Sequence, residues 1–348
     1  MELPNEILFE ILLKLDYSDI IRVGKTCSRF FRICRNDRLW ACKAKLDFGI
    51  PVQDLVLISY PNNKARYQWL ARVYPNKGLL LASDIGSIFL VNYFISKGAL
   101  SLHWCIERAA SAGHLDIVKL MIEKDIGNLD TAMYQAAGHG HYDIVKLLID
   151  NGADDYYGSV FNATINGHLS IVKLLLDKDI SQVNRAMYYA SEFGYIEIVK
   201  FALDNGARNY NECMNIAARC GYIEIVKLML GKDTVDYDEA MIDASCNNHL
   251  AIVKLLLEQG ADNLEQAINA AIYCEQLEVV KFLLQKVSNF NKFLLIAVES
   301  GSCELVKILL DKGANNYKDA IYKAISKNNF KILLILSRSY FGNVISLS

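Results

Sequence analysis

The sequence predicts an all-α protein in which an N-terminal three-helix module precedes an α-solenoid of about ten short helix-turn-helix repeats. The segment AAGHGHYDIVKLL at residues 136–148 returns with the same columns in copies that start 27 residues apart. A fixed period in this range is typical of stacked repeats. After Pro75 the chain has no further proline, which suits an unbroken series of helices. The sharpest column is one alanine in each repeat: Ala82, Ala109, Ala136, Ala163, Ala190, Ala217, Ala244, Ala271, Ala297 and Ala324.

The composition narrows the class of protein. Apolar residues make up 53% of the 348 residues, and the net charge is −2, so nothing in the composition indicates a nucleic-acid binder. The nine cysteines include no CxxC pair, and the N-terminus lacks the pattern of a signal peptide. We therefore expect free, packing cysteines in a reducing, intracellular and cytoplasmic setting.

One apolar stretch, residues 79–95, is nearly long enough to cross a bilayer. It contains Asp84, and a carboxylate in the middle of a membrane is costly. Ala82 in the same stretch belongs to the repeat column. We therefore predict a buried helix pair of the solenoid here and no membrane partner.

Residues 1–48 form the N-terminal module. Pro4 favours a helix start, and an apolar stripe follows it on one helix face. A turn at residues 16–19 leads to a second helix, and a third segment carries Phe30 and Phe31. A unit this small buries little surface alone, so we expect it to bind a partner or to cap the repeats.

This module resembles an F-box, with Leu3-Pro4, Ile11-Leu12, Asp19-Ile20 and Leu39-Trp40 standing where that family has LP, IL, D-aliphatic and LW. The resemblance implies docking onto the Skp-type linker subunit of a cullin–RING ubiquitin ligase. It implies helix-in-groove recognition with Trp40 as the anchor, since aromatic residues dominate binding hot spots. The implied contact residues are Leu3, Pro4, Ile7, Leu8, Ile11, Leu12, Leu39 and Trp40.

Residues 49–78 are predicted to be a helical connector that braces the module against the repeats. Three of the four prolines lie here and mark boundaries. One helix is expected over residues 62–73, opened by asparagine caps.

Residues 79–336 are predicted to be the repeat array, and residues 337–348 a C-terminal tail. The pattern of short helices, a tight turn and GHxxIVKLLxxGA resembles the ankyrin repeat. This sequence departs from that family in its shorter period and in the loss of the TPLH motif, of which only Thr131 remains. The loops are too short for the β-hairpin of the family, so we expect repeats that lack it.

Two repeated columns suggest chemistry. His114, His141, His168 and His249 share one column, but no carboxylate or thiol spacing supports a metal site, and turn histidines are the favoured interpretation. A lysine ladder on the second helices has acidic residues three before and four after it, which favours a salt-bridged outer face over a polyanion track. No catalytic or cofactor-binding motif occurs, so we expect neither an enzyme nor a bound cofactor.

Target binding is expected where the repeats differ. The columns of Gln135 and Gly138 vary most, and several aromatic residues could cluster near the middle of a concave face. Drift at exposed positions explains the variation equally well. The predicted target-binding residues are Gln135, His139, Tyr157, Phe161, Tyr188, Tyr189 and Phe193.

The predicted function is a monomeric, non-catalytic adaptor that recruits an unidentified target to an F-box-type ubiquitin ligase. The alternative is a binding scaffold whose N-terminal helices only cap the array. The combination of modules also resembles F-box and ankyrin proteins of amoeba-infecting giant DNA viruses, which implies a host protein as the target.

Overall fold

The structure is a computed structural model that describes residues 4–26, 28–51, 53, 56, 58, 60–125 and 127–347, with side chains up to residue 341. The described residues form helices and no strands, which confirms the predicted all-α fold. The chain divides into two compact units, residues 1–178 and 179–348. Each is described by itself.

The described residues of the N-terminal module form four helices where three were predicted. The third segment is interrupted because Asn36 caps a new helix, its side chain accepting a hydrogen bond from the backbone N–H of Arg38 at 2.9 Å. The helices span Asn5–Lys14 (α1), Tyr17–Gly24 (α2), Ser28–Cys34 (α3) and Asp37–Phe48 (α4).

The core of this module is built around Trp40. Its side chain is fully buried, and its indole N–H donates to the carbonyl oxygen of Cys34 at 2.8 Å. Lys43 is also buried, and its ammonium group donates to the carbonyl oxygen of Leu13 at 3.0 Å and to Asp47 at 2.8 Å. A buried charge needs such partners, so Lys43 ties α1 to α4.

The connector contacts both the N-terminal module and the first repeat. Its helix spans Asn63–Arg72 (α5). Asn62 caps the N-terminus of this helix, and its side chain accepts a hydrogen bond from the N–H of Ala65 at 2.9 Å. Tyr67 packs against Trp40 with 5.3 Å between ring centroids and donates its hydroxyl to Asp47 at 2.6 Å. Trp69 meets Phe94 of the first repeat edge to face.

Among its described residues, the first unit contains four helix pairs after the connector. The first pair begins at Pro75, so the predicted boundary at residue 79 falls inside a helix. The stretch weighed as a membrane segment is this pair, broken at Gly86. The pairs are Pro75–Ile85 with Ile88–Ser96, Leu102–Ala112 (α8) with Leu115–Glu123, Leu129–Gly138 with Tyr142–Asp150, and Tyr156–Ile165 with Leu169–Lys178.

The second unit contains six helix pairs among its described residues, after a 3-10 turn at Ile180–Gln182. Its last helix, Phe330–Leu347, runs through the residues predicted to be a C-terminal tail, because no proline follows residue 336 to end it. The pairs are Val183–Phe193 with Ile196–Asp204, Tyr210–Cys220 with Ile223–Met229, Tyr237–Cys246 with Leu250–Glu258, Leu264–Tyr273 with Leu277–Leu283, Asn291–Ser300 with Cys303–Asp311, and Tyr317–Ser326 with Phe330–Leu347.

Within each unit, the alanine column lies on first helices that touch their neighbours. All ten alanines are fully buried, as are the valines of the IVKLL segment such as Val145 and Val172. The first helices of the inner repeats end at left-handed residues; Asn248 and Glu275 adopt this conformation where the column lacks glycine, with φ values of 62° and 56°.

One pair of cysteines contradicts the expectation of free thiols. Cys246 and Cys274, in neighbouring repeats of the second unit, form a disulfide with 5.4 Å between their Cα atoms. Both residues stand at the ends of first helices, which brings them within bridging distance. Cys34, Cys105 and Cys213 are free and buried, in line with a packing role.

Candidate protein-interaction surfaces

The N-terminal module presents one apolar edge to solvent. Ile7 and Ile11 lie one turn apart on α1 and are 46% and 42% exposed. Pro4, at the start of the same helix, is also exposed, while Leu3 lies outside the described residues. An exposed pair at this spacing presents a continuous apolar strip to a partner.

The other four predicted contact residues are part of the core. Leu8 is 6% exposed, and Leu12, Leu39 and Trp40 are fully buried. Trp40 is therefore a core residue of the module in this structure and offers no surface to a partner, which corrects its predicted role as the anchor. The apolar character of these positions is explained by packing.

Phe31 is an exposed aromatic residue that the sequence reasoning left out of the contact surface. Its side chain is 52% exposed on α3. A nearby groove of about 440 Å³ lies between α1, α3 and α4 and is lined in part by Phe9, Ile33 and Arg38. A phenylalanine in so small a module is a candidate contact residue from the sequence. Only the fold shows that it is exposed and not part of the core.

Four histidines of this column join their own repeat to the one before it. The Nε2 atom of His141 lies 3.0 Å from the carbonyl oxygen of Ser111, and His114, His168 and His249 make the equivalent contact at 2.8–3.1 Å. A carbonyl oxygen only accepts, so Nε2 carries the proton. These contacts support the structural interpretation of the column.

The two variable columns pair with each other across neighbouring repeats. The column of Gln135 in one repeat meets the column of Gly138 in the preceding repeat. The resulting ion pairs are Arg108–Asp84 at 2.6 Å, Asp243–Arg219 at 3.1 Å and Lys323–Glu299 at 3.1 Å. Part of the variation predicted to serve target binding therefore serves contacts between repeats.

Gly138 itself also serves a contact between neighbouring repeats. A Cβ at this position would lie 2.1 Å from the side chain of Asn162 in the next repeat. Asn162 uses that space to donate to the carbonyl oxygen of Tyr134 at 2.8 Å. A side chain at residue 138 would have to displace Asn162 from this hydrogen bond.

Four predicted target-binding residues lie in the first unit. Gln135 lines a cavity of about 350 Å³, and the Nδ1 atom of His139 lies 2.8 Å from the carbonyl oxygen of Gln135. Tyr157 is 58% exposed, and Phe161 is half-buried. Gln135 and His139 are thus brought together.

The other three lie in the second unit. Tyr188 and Tyr189 pack edge to face with ring centroids 5.3 Å apart, and the guanidinium of Arg185 lies 5.5 Å from the Tyr189 ring. Burial raises the pKa of Tyr188 above its usual value. Phe193 is 45% exposed and ends the same helix.

A further column, six residues before each alanine, was not recognised from the sequence. Its Asn and Asp side chains accept hydrogen bonds from the backbone of the following repeat; Asp130 accepts from the N–H groups of Asp154 at 2.8 Å and Asp155 at 3.0 Å. The recurrence of Asn or Asp six residues before the alanine was the signal in the sequence that could have revealed this column. The members that make this contact include Asn76, Asp130, Asn184, Asn211, Asp238 and Asn291.

The lysine ladder forms local ion pairs. Lys200, Lys227 and Lys281 each contact the glutamate three residues earlier at 2.7–3.1 Å. Within the described residues, no three His, Cys, Asp or Glu side chains come close enough to hold a metal ion, and no helix is long and apolar enough to cross a membrane.

Stacked helix pairs, joined by contacts between neighbours and carrying different side chains on a common scaffold, define a repeat protein of the kind that binds other proteins. The family model "Ankyrin repeats (3 copies)" matches residues 79–158, 187–267, 214–293 and 268–345. These matches span more than half of the chain, so it belongs to the ankyrin-repeat family. The F-box-like family model matches residues 1–44. No curated protein matches the chain.

Proposed function

We propose that this protein is a non-catalytic adaptor of an F-box-type ubiquitin ligase. The F-box-like module would bind the Skp-type linker subunit, and the ankyrin repeats would hold a target protein. Tethering raises the effective concentration of the target near the ubiquitin-loaded enzyme. The resemblance to giant-virus proteins adds the proposal that this target belongs to the host.

The observation that carries the proposal is the exposed edge of α1 formed by Pro4, Ile7 and Ile11, on a segment that matches the F-box-like family. A module that served only as a cap would turn its apolar side chains toward the repeats. These two isoleucines instead remain available to a partner while the core beneath them is complete.

The test is capture of purified Skp-type linker subunit by the full-length protein. Ile7→Asp/Ile11→Asp should reduce capture at least tenfold, because two carboxylates would be placed in an apolar contact. Both positions are exposed, so the module should stay folded by circular dichroism. Ile180→Asp, at a 53% exposed isoleucine in the second unit, is the matched control and should bind normally.

Equal capture by the wild type and the double variant would reject the ligase role. That result would favour the second candidate, a protein-interaction scaffold with no link to the ligase. The same proteins should then still capture the target through the repeats.

A further inference from the structure

The cavity in the first unit that contains Gln135 has a composition suited to one class of ligand. Its volume is about 350 Å³, and Trp104, Glu107 and Arg108 on α8 contribute to its wall. Trp104 is 51% exposed, although tryptophan is usually well buried. Its column contains Thr131 and Gly158 in the next two repeats, so the indole is not a requirement of the repeat.

Trp104 and Glu107 lie three residues apart and therefore on the same side of α8. His103 packs against the indole with 5.0 Å between ring centroids. The face of an indole attracts a cation, and a nearby carboxylate accepts its N–H groups. The two side chains thus offer an apolar, electron-rich wall and a negative charge within one cavity.

The positive charge of Arg108 does not cancel this preference. Its guanidinium is already paired with Asp84, at 2.6 Å between Nη2 and Oδ2. In the described part of the chain, Glu107 forms no such pair. The charges of Arg108, Asp84 and Glu107 therefore sum to one negative charge. Glu107, in the cavity wall, carries it, which favours a cationic ligand over a carboxylate.

We propose that this cavity binds an arginine or lysine side chain displayed by the target protein. Trp104 would cover the aliphatic stem and the charged group, Glu107 would accept from its N–H donors, and Gln135 would close the cavity from the neighbouring repeat. The inference rests on the proposed adaptor function for its biological purpose, and it narrows the target to proteins with an exposed basic side chain.

The test uses the ¹⁵N-labelled full-length protein and short capped glycine–serine peptides that contain one central arginine or its neutral isostere citrulline. The indole N–H resonance of Trp104, assigned with Trp104→Phe, should shift on titration with the arginine peptide and not with the citrulline peptide. Glu107→Gln should weaken binding about five- to tenfold, because the charge-assisted hydrogen bonds are lost. Glu123→Gln, at an exposed glutamate of the same unit, should bind as the wild type does.

Two results would overturn the inference: an equal shift with the citrulline peptide, or unchanged affinity in Glu107→Gln. No linker subunit is present in this titration, and no peptide is present in the capture experiment with the Ile7/Ile11 variant. Failure of one proposal is therefore distinguishable from failure of the other.

Discussion

Replacing Gly113 with alanine tests how neighbouring repeats are held together. Gly113 ends α8 with a φ of +84°, and an added Cβ would lie 2.6 Å from the His141 ring in the next repeat. Gly98 follows a second helix with nearly the same φ of +85°, and a Cβ there would meet nothing within 4 Å. The two glycines therefore share a backbone conformation and differ in their surroundings.

The two glycine replacements should therefore destabilise the protein by different amounts. A left-handed conformation costs an L-residue roughly 1–2 kcal/mol, and both variants incur this cost. Gly113→Ala must also displace the His141 ring. Overpacking costs about 1–3 kcal/mol, and loss of the hydrogen bond from His141 to Ser111 costs about 1 kcal/mol. Gly113→Ala should thus be less stable than Gly98→Ala by about 2–4 kcal/mol.

The assay is urea-induced unfolding of the full-length variants, followed by far-ultraviolet circular dichroism. A His141→Ala background removes the clash, so Gly113→Ala should there cost no more than Gly98→Ala. Such non-additivity is expected for residues in contact. Equal destabilisation by the two glycine replacements in the wild-type background would refute this account of the glycine–histidine column.

Three further predictions concern other contacts. Asp130→Ala should lower the free energy of unfolding by about 1–2 kcal/mol because two backbone N–H groups lose their acceptor, whereas Asp116→Ala, at an exposed position, should change it by less than about 0.5 kcal/mol in urea titrations. Burial raises the pKa of the Cys213 thiol from 9.0 to about 12. The unfolded chain therefore loses this proton at a lower pH than the folded protein does, so the free energy of unfolding should fall as the pH rises between these values. The fall should be less steep in Cys213→Ala than in the wild type. Without reductant, Cys246→Ser should lower the free energy of unfolding by about 3.5 kcal/mol, because the bond closes a loop of 28 residues. With reductant the difference should disappear.

The period of the sequence was sufficient to predict the repeat fold, because stacking imposes the same demand on every copy. The alanine column, the helix pairs and the left-handed turn residues follow from that demand. The two glycine columns show where such reasoning stops. Both predict a left-handed residue, but only the fold places the rings of His141 and its counterparts against the first of them.

The interaction surfaces were less predictable for a related reason. Ile7 and Leu8 are both apolar residues of an amphipathic helix, and only packing decides that Ile7 faces solvent and Leu8 faces the core. Variation in the columns of Gln135 and Gly138 was consistent with target recognition or drift. The ion pairs reveal a third cause, complementarity between neighbours, which pairs residues 24 apart and is hidden when each column is considered alone.

These ion pairs have a consequence for how the gene can change. Unequal recombination between repeated segments would delete or duplicate whole copies. A duplication that joined the repeat of Arg219 to the repeat of Arg108 would set two guanidinium groups against each other, and a deletion that joined Asp84 to Asp243 would oppose two carboxylates. Like charges in contact are destabilising. The ion pairs therefore favour the present order of the repeats. Proteins with a changed repeat order would be less stable.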